Sequence, residues 1–308
     1  QPLTPKMLAA FSDLTPAEAT HLQQEWPRIP VQRKRDLLRQ LADVLEDDFV
    51  ASFETLAKTV IHDEDAQVRA GAIRLLWDSG DPRIATTLLD MLQNDPDPEP
   101  RAEAASVLGS YIYLGELEEL DPALQTRIED AVLAAAQSDA DQSVQRKAIE
   151  ALGYSSRKEV PALIESAYKH ADPRWVASAL FAMGRSSDPT WEELVIRAFT
   201  HEQPLVRLAA VEAAGELELS GARDILLNIL EEEDEDEDLT RAVIWSLSQI
   251  GGEDVRTYFY NLLDATEDED LMDFIEEALD NLTFSEGKLD LGFDLFNFDP
   301  DAPPEDDR

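Results

Sequence analysis

The chain contains no cysteine and only 4 histidines in 308 residues. Without thiols, disulfide scaffolds, thiolate zinc sites, iron–sulfur clusters and thioether-linked haem are all excluded. Cations are scarce as well: Lys plus Arg number 26 against 66 Asp plus Glu, a formal net charge of −40. A field of that sign opposes binding to DNA or RNA phosphates. No apolar run approaches the roughly 18 residues that a membrane span needs. Gly-rich phosphate loops, G-x-S-x-G and H-E-x-x-H are also missing. What remains is a chain that is 44% hydrophobic, enough to bury a real core. The lack of thiols fits a reducing cytoplasm and simple thiol avoidance equally; a cytoplasmic address is the expectation.

A repeated frame runs through the chain. Counting from Val68, apolar or small residues recur at offsets 4, 7 and 8, as Ala72, Leu75 and Leu76. The frame returns at Pro100, Val144, Trp175, Val206, Leu239 and Leu271, with spacings of 32, 44, 31, 31, 33 and 32. Offsets of 0, 4, 7 and 8 form the apolar stripe of a helix. Gly109, Gly153, Gly184 and Gly215 stand at offset nine, where they read as helix ends. Acidic turns before the starts supply N-caps. A second apolar helix lies between copies, at 84–92, 160–168, 191–199 and 222–230. The long step reads as a loop insertion around 111–122. Each period is therefore two antiparallel helices, and pairs must stack to bury their apolar faces.

The run Asp63, Val68-Arg69, Ala72, Leu76 resembles the HEAT repeat, above all the short bacterial kind also found in phycobilisome lyases. Residues 139–153 and 206–215 carry the same pattern. The resemblance implies an all-α, right-handed α-α superhelix, a HEAT/armadillo-like solenoid of about seven helix pairs. It implies fold rather than activity, since that family includes scaffolds, lyases and hydroxylases. Residues 1–48 are expected to form an N-terminal helical cap, 49–283 the solenoid, and 284–308 an acidic–aromatic tail, flexible when free.

Catalytic chemistry has little to work with. A di-iron hydroxylase site of the HEAT-like kind needs several His-Glu pairs, and only His201-Glu202 has that form. No catalytic residue, cofactor or metal is expected. Arg69, Arg101 and Arg207 share one offset, with Arg146 and Arg241 one residue further on. Such a row reads either as a ladder to the turn acids of adjacent repeats or as a groove for an anionic ligand. A basic cluster, Arg28, Arg33, Lys34, Arg35 and Arg39, seeks either an internal acid or an outside anion. Eight consecutive acids fill 231–238, and residues 231–308 hold 27 acids and 4 bases, a net of −23. Such asymmetry steers cationic partners.

Trp77, Trp175 and Trp245 are candidate anchors, Trp being enriched at binding hot spots. Leu291, Phe293, Leu295 and Phe296 in the tail read as a cap on the last repeat, as a linear motif for another protein, or as disorder. Together these features point to a non-enzymatic scaffold for a protein or peptide with a basic patch, not nucleic acid or membrane, with its oligomeric state open. The alternatives are a HEAT-like lyase or enzyme accessory related to chromophore lyases, and a structural assembly module.

Overall fold

Aspartate and proline open most of the helices. Asp65, Asp81, Asp121 and Asp141 each accept a backbone N–H of the first turn that follows, which satisfies donors a helix leaves unpaired. Pro82, Pro122 and Pro204 stand at the first helical position, where the missing N–H costs nothing. Thr15 and Glu18 close a reciprocal capping box. The computed structural model describes residues 3–47, 50–231 and 236–296. Among these, 17 α-helices form and no strand does.

The chain divides into two compact units, Gln1–Ala182 and Met183–Arg308. In the first, α3 (Val31–Asp47), α5 (Ala66–Arg74), α7 (Pro98–Glu116) and α9 (Gln142–Leu152) form a row in which each helix packs on the next. A second row holds α2 (Pro16–Glu25) on α4 (Glu54–Val60), and α6 (Pro82–Asn94) on α8 (Pro122–Ser138). The short α1 (Pro5–Ala9) rests on α3, and α10 (Val160–Tyr168) on α9. In the second unit, α13 (Pro204–Glu216), α15 (Glu237–Ile250) and α17 (Glu269–Phe296) stack in order. Beside them pack α12 (Glu192–Ala198), α14 (Arg223–Glu231) and α16 (Glu253–Ala265). The unit boundary falls inside α11 (Pro173–Arg185). Paired helices stacked in this way are an α-solenoid.

The core follows the repeat frame. Val68, Ala72 and Leu76 are buried, as are Val144, Ala148 and Leu152, and Val206, Ala210 and Ala214. Trp175 and Leu271 break the rule by staying half-buried at offset zero. The cap helix α3 joins the same row, with Leu38 packed so close to α5 that a Cβ on Gly71 would lie 3.0 Å from the Leu38 Cβ.

Three expectations change. Of the offset-nine glycines, Gly153 caps α9 and Gly184 and Gly215 lie one residue from the ends of α11 and α13, as expected, but without a left-handed turn, and Gly109 does not end its helix. Gly109 lies in the middle of α7, and none of them has positive φ. Left-handed residues follow instead at Glu118 and Ser187, three positions after Gly115 and Gly184, and at Glu218 after Gly215. What the glycines supply is closeness: a Cβ on Gly215 would meet the Ser246 Cα at 2.8 Å, and one on Gly109 would meet the Ala151 Cα at 3.2 Å. The long step near 111–122 is no loop insertion either. It lengthens α7 to 19 residues and α8 to 17, and Tyr111 is fully buried. Finally, the chain past 284 stays helical to Phe296. No proline interrupts it, and Gly287 and Gly292 cost about 1 kcal/mol each relative to Ala, too little to stop the helix. Leu291, Phe293, Leu295 and Phe296 thus sit on helical backbone, and residues 297–308 lie outside the described residues.

Candidate interaction surface

Among the described residues, the turns before α5, α7, α9, α11, α13 and α17 each hold one acceptor five residues before the repeat start. In three turns it is a carboxylate: Asp63 accepts from Asp65 N at 2.9 Å, Asp95 from Asp97 N at 3.0 Å, and Asp139 from Asp141 N at 2.9 Å. In two it is an imidazole: His170 Nδ1 accepts from Asp172 N at 3.0 Å, and His201 Nδ1 from Gln203 N at 3.1 Å. In the last it is the Thr266 hydroxyl, accepting from Asp268 N at 3.2 Å. His170 and His201 are therefore turn-formers, isosteric in role with aspartate.

Where the turn acceptor is charged, the preceding helix answers with a cation. Lys34 Nζ lies 2.6 Å from Asp63, Arg69 Nη2 lies 2.7 Å from Asp95 and 3.0 Å from Asp97, and Arg101 Nη2 lies 2.9 Å from Asp139. The arginine forks are bidentate, with Nε of Arg69 and Arg101 on the second carboxylate oxygen at 2.8 and 2.9 Å. Before His170 the equivalent residue is Gln145, before His201 it is Val176, and before Thr266 it is Thr240, none of them charged. The same position also bonds back to its own turn. Arg69 donates to Asp63 O at 3.0 Å, Arg101 to Asp95 O at 3.0 Å, Gln145 to Asp139 O at 2.8 Å, and Arg207 to His201 O at 3.1 Å. Residue 234, five before the next repeat start, lies outside the described residues.

Burial alone pushes the Asp63 and Asp139 carboxyls up. The hydrogen bonds from Lys34 and Arg101, with those of the turn N–H groups, outweigh it and hold both below the ordinary carboxylate value. The Asp95 and Asp139 hydrogen bonds in turn raise Arg69 and Arg101. Trp26 seals the first rung, its indole N–H donating to Asp63 at 2.7 Å while Lys34 Nζ stands 5.2 Å from the ring centroid. In the N-terminal basic cluster, Arg35 pairs with Asp65, Arg28 with Glu25 at 2.6 Å, and Arg39 with Asp36 at 3.6 Å. Of the two readings of the arginine row, the ladder is what Arg69 and Arg101 make.

The three tryptophans stand in different surroundings. Trp175 stacks on His170 with ring centroids 5.0 Å apart. Trp245 packs on Phe274 at 6.3 Å, and the Arg241 guanidinium lies 5.0 Å over that second ring. Trp77 is 47% exposed in the turn after α5. It helps line a cavity of about 200 Å³ with Leu45, Val50, Phe53, Glu54 and Asp78. Sequence reasoning missed that cavity, because Leu45 and Val50 lie outside the repeat frame. A second cavity, of about 280 Å³, lies beside Lys58, His62 and Arg83. Its cations are spoken for: Lys58 lies 3.2 Å and Arg83 2.8 Å from Asp81. Among the described residues, no three His, Asp or Glu side chains converge as a metal site, and no helix is long and apolar enough to cross a membrane.

One family profile agrees with this architecture. The sequence profile of HEAT repeats matches residues 53–137, 160–237 and 192–280. No curated protein sequence matches the chain. Among solved structures, the Escherichia coli protein YibA is 16% identical, with a TM-score of 0.46 over 92% of this chain and 98% of that one. Human deoxyhypusine hydroxylase in complex with glycerol is also 16% identical, with a TM-score of 0.35 over 81% of this chain and 92% of that one.

Proposed function

The chain belongs to the HEAT-repeat family, and from that premise we propose that it is a non-enzymatic scaffold that binds a basic protein or peptide. The observation that carries this reading is the internal use of its cations. Of 26 Lys and Arg, those at the inter-repeat positions 34, 69 and 101 are tied to turn acids inside the fold. The 66 acids far exceed what the remaining cations can neutralise. The surface offered to a partner is therefore anionic, and most strongly so over 231–308. Electrostatic attraction of this kind sets encounter rate and partner choice, and it weakens with salt.

The test is capture on the immobilised full chain, followed by pairwise affinity measurement with each purified partner at 50 and 300 mM NaCl. Basic partners whose Kd rises at least tenfold across that range support the reading. Acidic partners, or affinities indifferent to salt, overturn it. A purified chain that absorbs visible light would favour the chromophore-lyase reading instead, and concentration-dependent sedimentation would favour a structural assembly module.

A further inference from the structure

We propose that the cavity beside Trp77 is a slot for a single arginine side chain of the basic partner, an inference that rests on the reading above and locates it. Trp77 occupies the repeat offset that holds glycine in four other copies. At Gly109, Gly184 and Gly215 the missing Cβ lets the next helix approach. Here α5 has already ended at Arg74, so the position falls in a turn and the indole faces out, about half exposed. Packing does not require a tryptophan at this place.

The chemistry of the walls suits a guanidinium on a hydrocarbon stem. Leu45, Val50, Phe53 and Leu75 give an apolar lining that would cover the methylenes. The Trp77 ring offers a π-face on which a planar cation stacks. Among the described residues, no lysine or arginine lines the cavity, and its two carboxylates, Glu54 and Asp78, differ in availability. Glu54 is held by Lys58 at 2.5 Å and by the Ser79 hydroxyl at 2.9 Å. Asp78 is exposed and makes no hydrogen bond or ion pair among the described residues, so it is the acceptor open to a bidentate fork. In the far wall, Ser52 is held in place. Ser52 accepts from Asp13 N at 2.9 Å and donates its own N–H to the Ser12 hydroxyl at 3.1 Å, which ties the loop to the α1–α2 turn. A slot already formed loses little ordering entropy on binding.

The experiment labels the full chain with 5-fluorotryptophan, which gives one fluorine resonance for each of the 5 tryptophans. Trp77→Leu assigns the relevant signal. The probes are acetyl-(Gly-Arg)4-amide, its lysine counterpart and a Gly-Ser control, added at low salt, with total binding followed by calorimetry. The expected result is a saturable shift of the Trp77 resonance with the arginine peptide and a weaker one with lysine. Trp77→Leu should lower arginine-peptide affinity about threefold to thirtyfold, the range for a cation–π contact, and Asp78→Asn about twofold to fivefold, the range for an exposed ion pair. Circular dichroism checks that both variants keep their helices. If the arginine peptide binds while Trp77 stays silent and both variants bind as well as the parent, the slot is wrong and the basic-partner reading stands. If the arginine peptide does not bind at all, that reading falls with it.

Discussion

Arg101 and Asp139 meet side-on across 38 residues of sequence, Nε and Nη2 each 2.9 Å from a separate carboxylate oxygen. The same aspartate also accepts the N–H that shapes its own turn. One side chain thus joins a repeat to its predecessor and starts the helix of its own.

The molecule carries a natural experiment on that pair. One step along, Gln145 and His170 stand where Arg101 and Asp139 stand. Arg101→Gln alone leaves a largely buried carboxylate unpaired and should cost about 3 kcal/mol, the scale for breaking a buried ion pair from one side. Arg101→Gln with Asp139→His should cost less than the single change, because His retains the turn bond and Gln the carbonyl bond. Urea denaturation of the parent, both single variants and the double variant gives the coupling energy.

Acid should loosen the first unit. Asp63 and Asp139 titrate low in the folded chain, and hydrogen bonding to Arg174 holds Asp172 at about 2. A lowered folded value means that the stabilisation is complete above about pH 4, the unfolded range, and fades as pH falls through the folded values. Protonation of exposed acids acts the other way by relieving the self-repulsion of a −40 chain. At 0.5 M NaCl that repulsion is screened while the buried pairs are not. Thermal melts in high salt should therefore lose stability steadily from pH 5 to pH 2. The Arg101→Gln, Asp139→His double variant should lose less over the same range.

Glycine substitutions should separate by spacing. Gly215→Ala puts a methyl 2.8 Å from Ser246 Cα and should destabilise by about 1–3 kcal/mol through overpacking. Gly80→Ala finds its nearest neighbour, Leu114 Cδ1, at 3.9 Å and should be neutral or stabilising by about 0.4–1 kcal/mol. Chemical denaturation of the two variants decides the matter. Equal effects would remove close approach as the reason for the glycines.

His170 should tolerate an amide better than a methyl. His170→Asn keeps an acceptor for Asp172 N, whereas His170→Ala loses it together with the stack on Trp175. The alanine variant should cost about 1 kcal/mol, the scale of a lost cap or turn bond, and the asparagine variant less. Thermal melts rank them.

The fold was legible because burial follows a strict frame: Val144, Ala148 and Leu152 had to share a face, and they do. The row of arginines was legible as a pattern, and of its two meanings the distances favour the internal ladder. What could not be read was anything set by neighbours far along the chain. Gly109 resembles a helix stop until the Ala151 Cα is seen 3.2 Å from where its Cβ would be. Residues 111–122 read as a loop because the repeat spacing there is about a dozen residues long, yet buried Tyr111 and Ile112 anchor α7. His170 and His201 read from the sequence as turn or surface residues, and which backbone N–H each accepts leaves no trace in composition. The Trp77 cavity joins α3, the loop after it and the end of α5, three segments with no shared period.

The uneven ladder has a mechanical meaning. In a stacked array, each repeat is held by its own stability and by the bond to its neighbour. Charged rungs tie α3 to the turn before α5, α5 to the turn before α7, and α7 to the turn before α9. At Gln145 that sequence of rungs stops. Pulled from its ends or frayed by denaturant, the array from α3 to α9 should give way as a block, with the first parting set at the uncharged step beyond it.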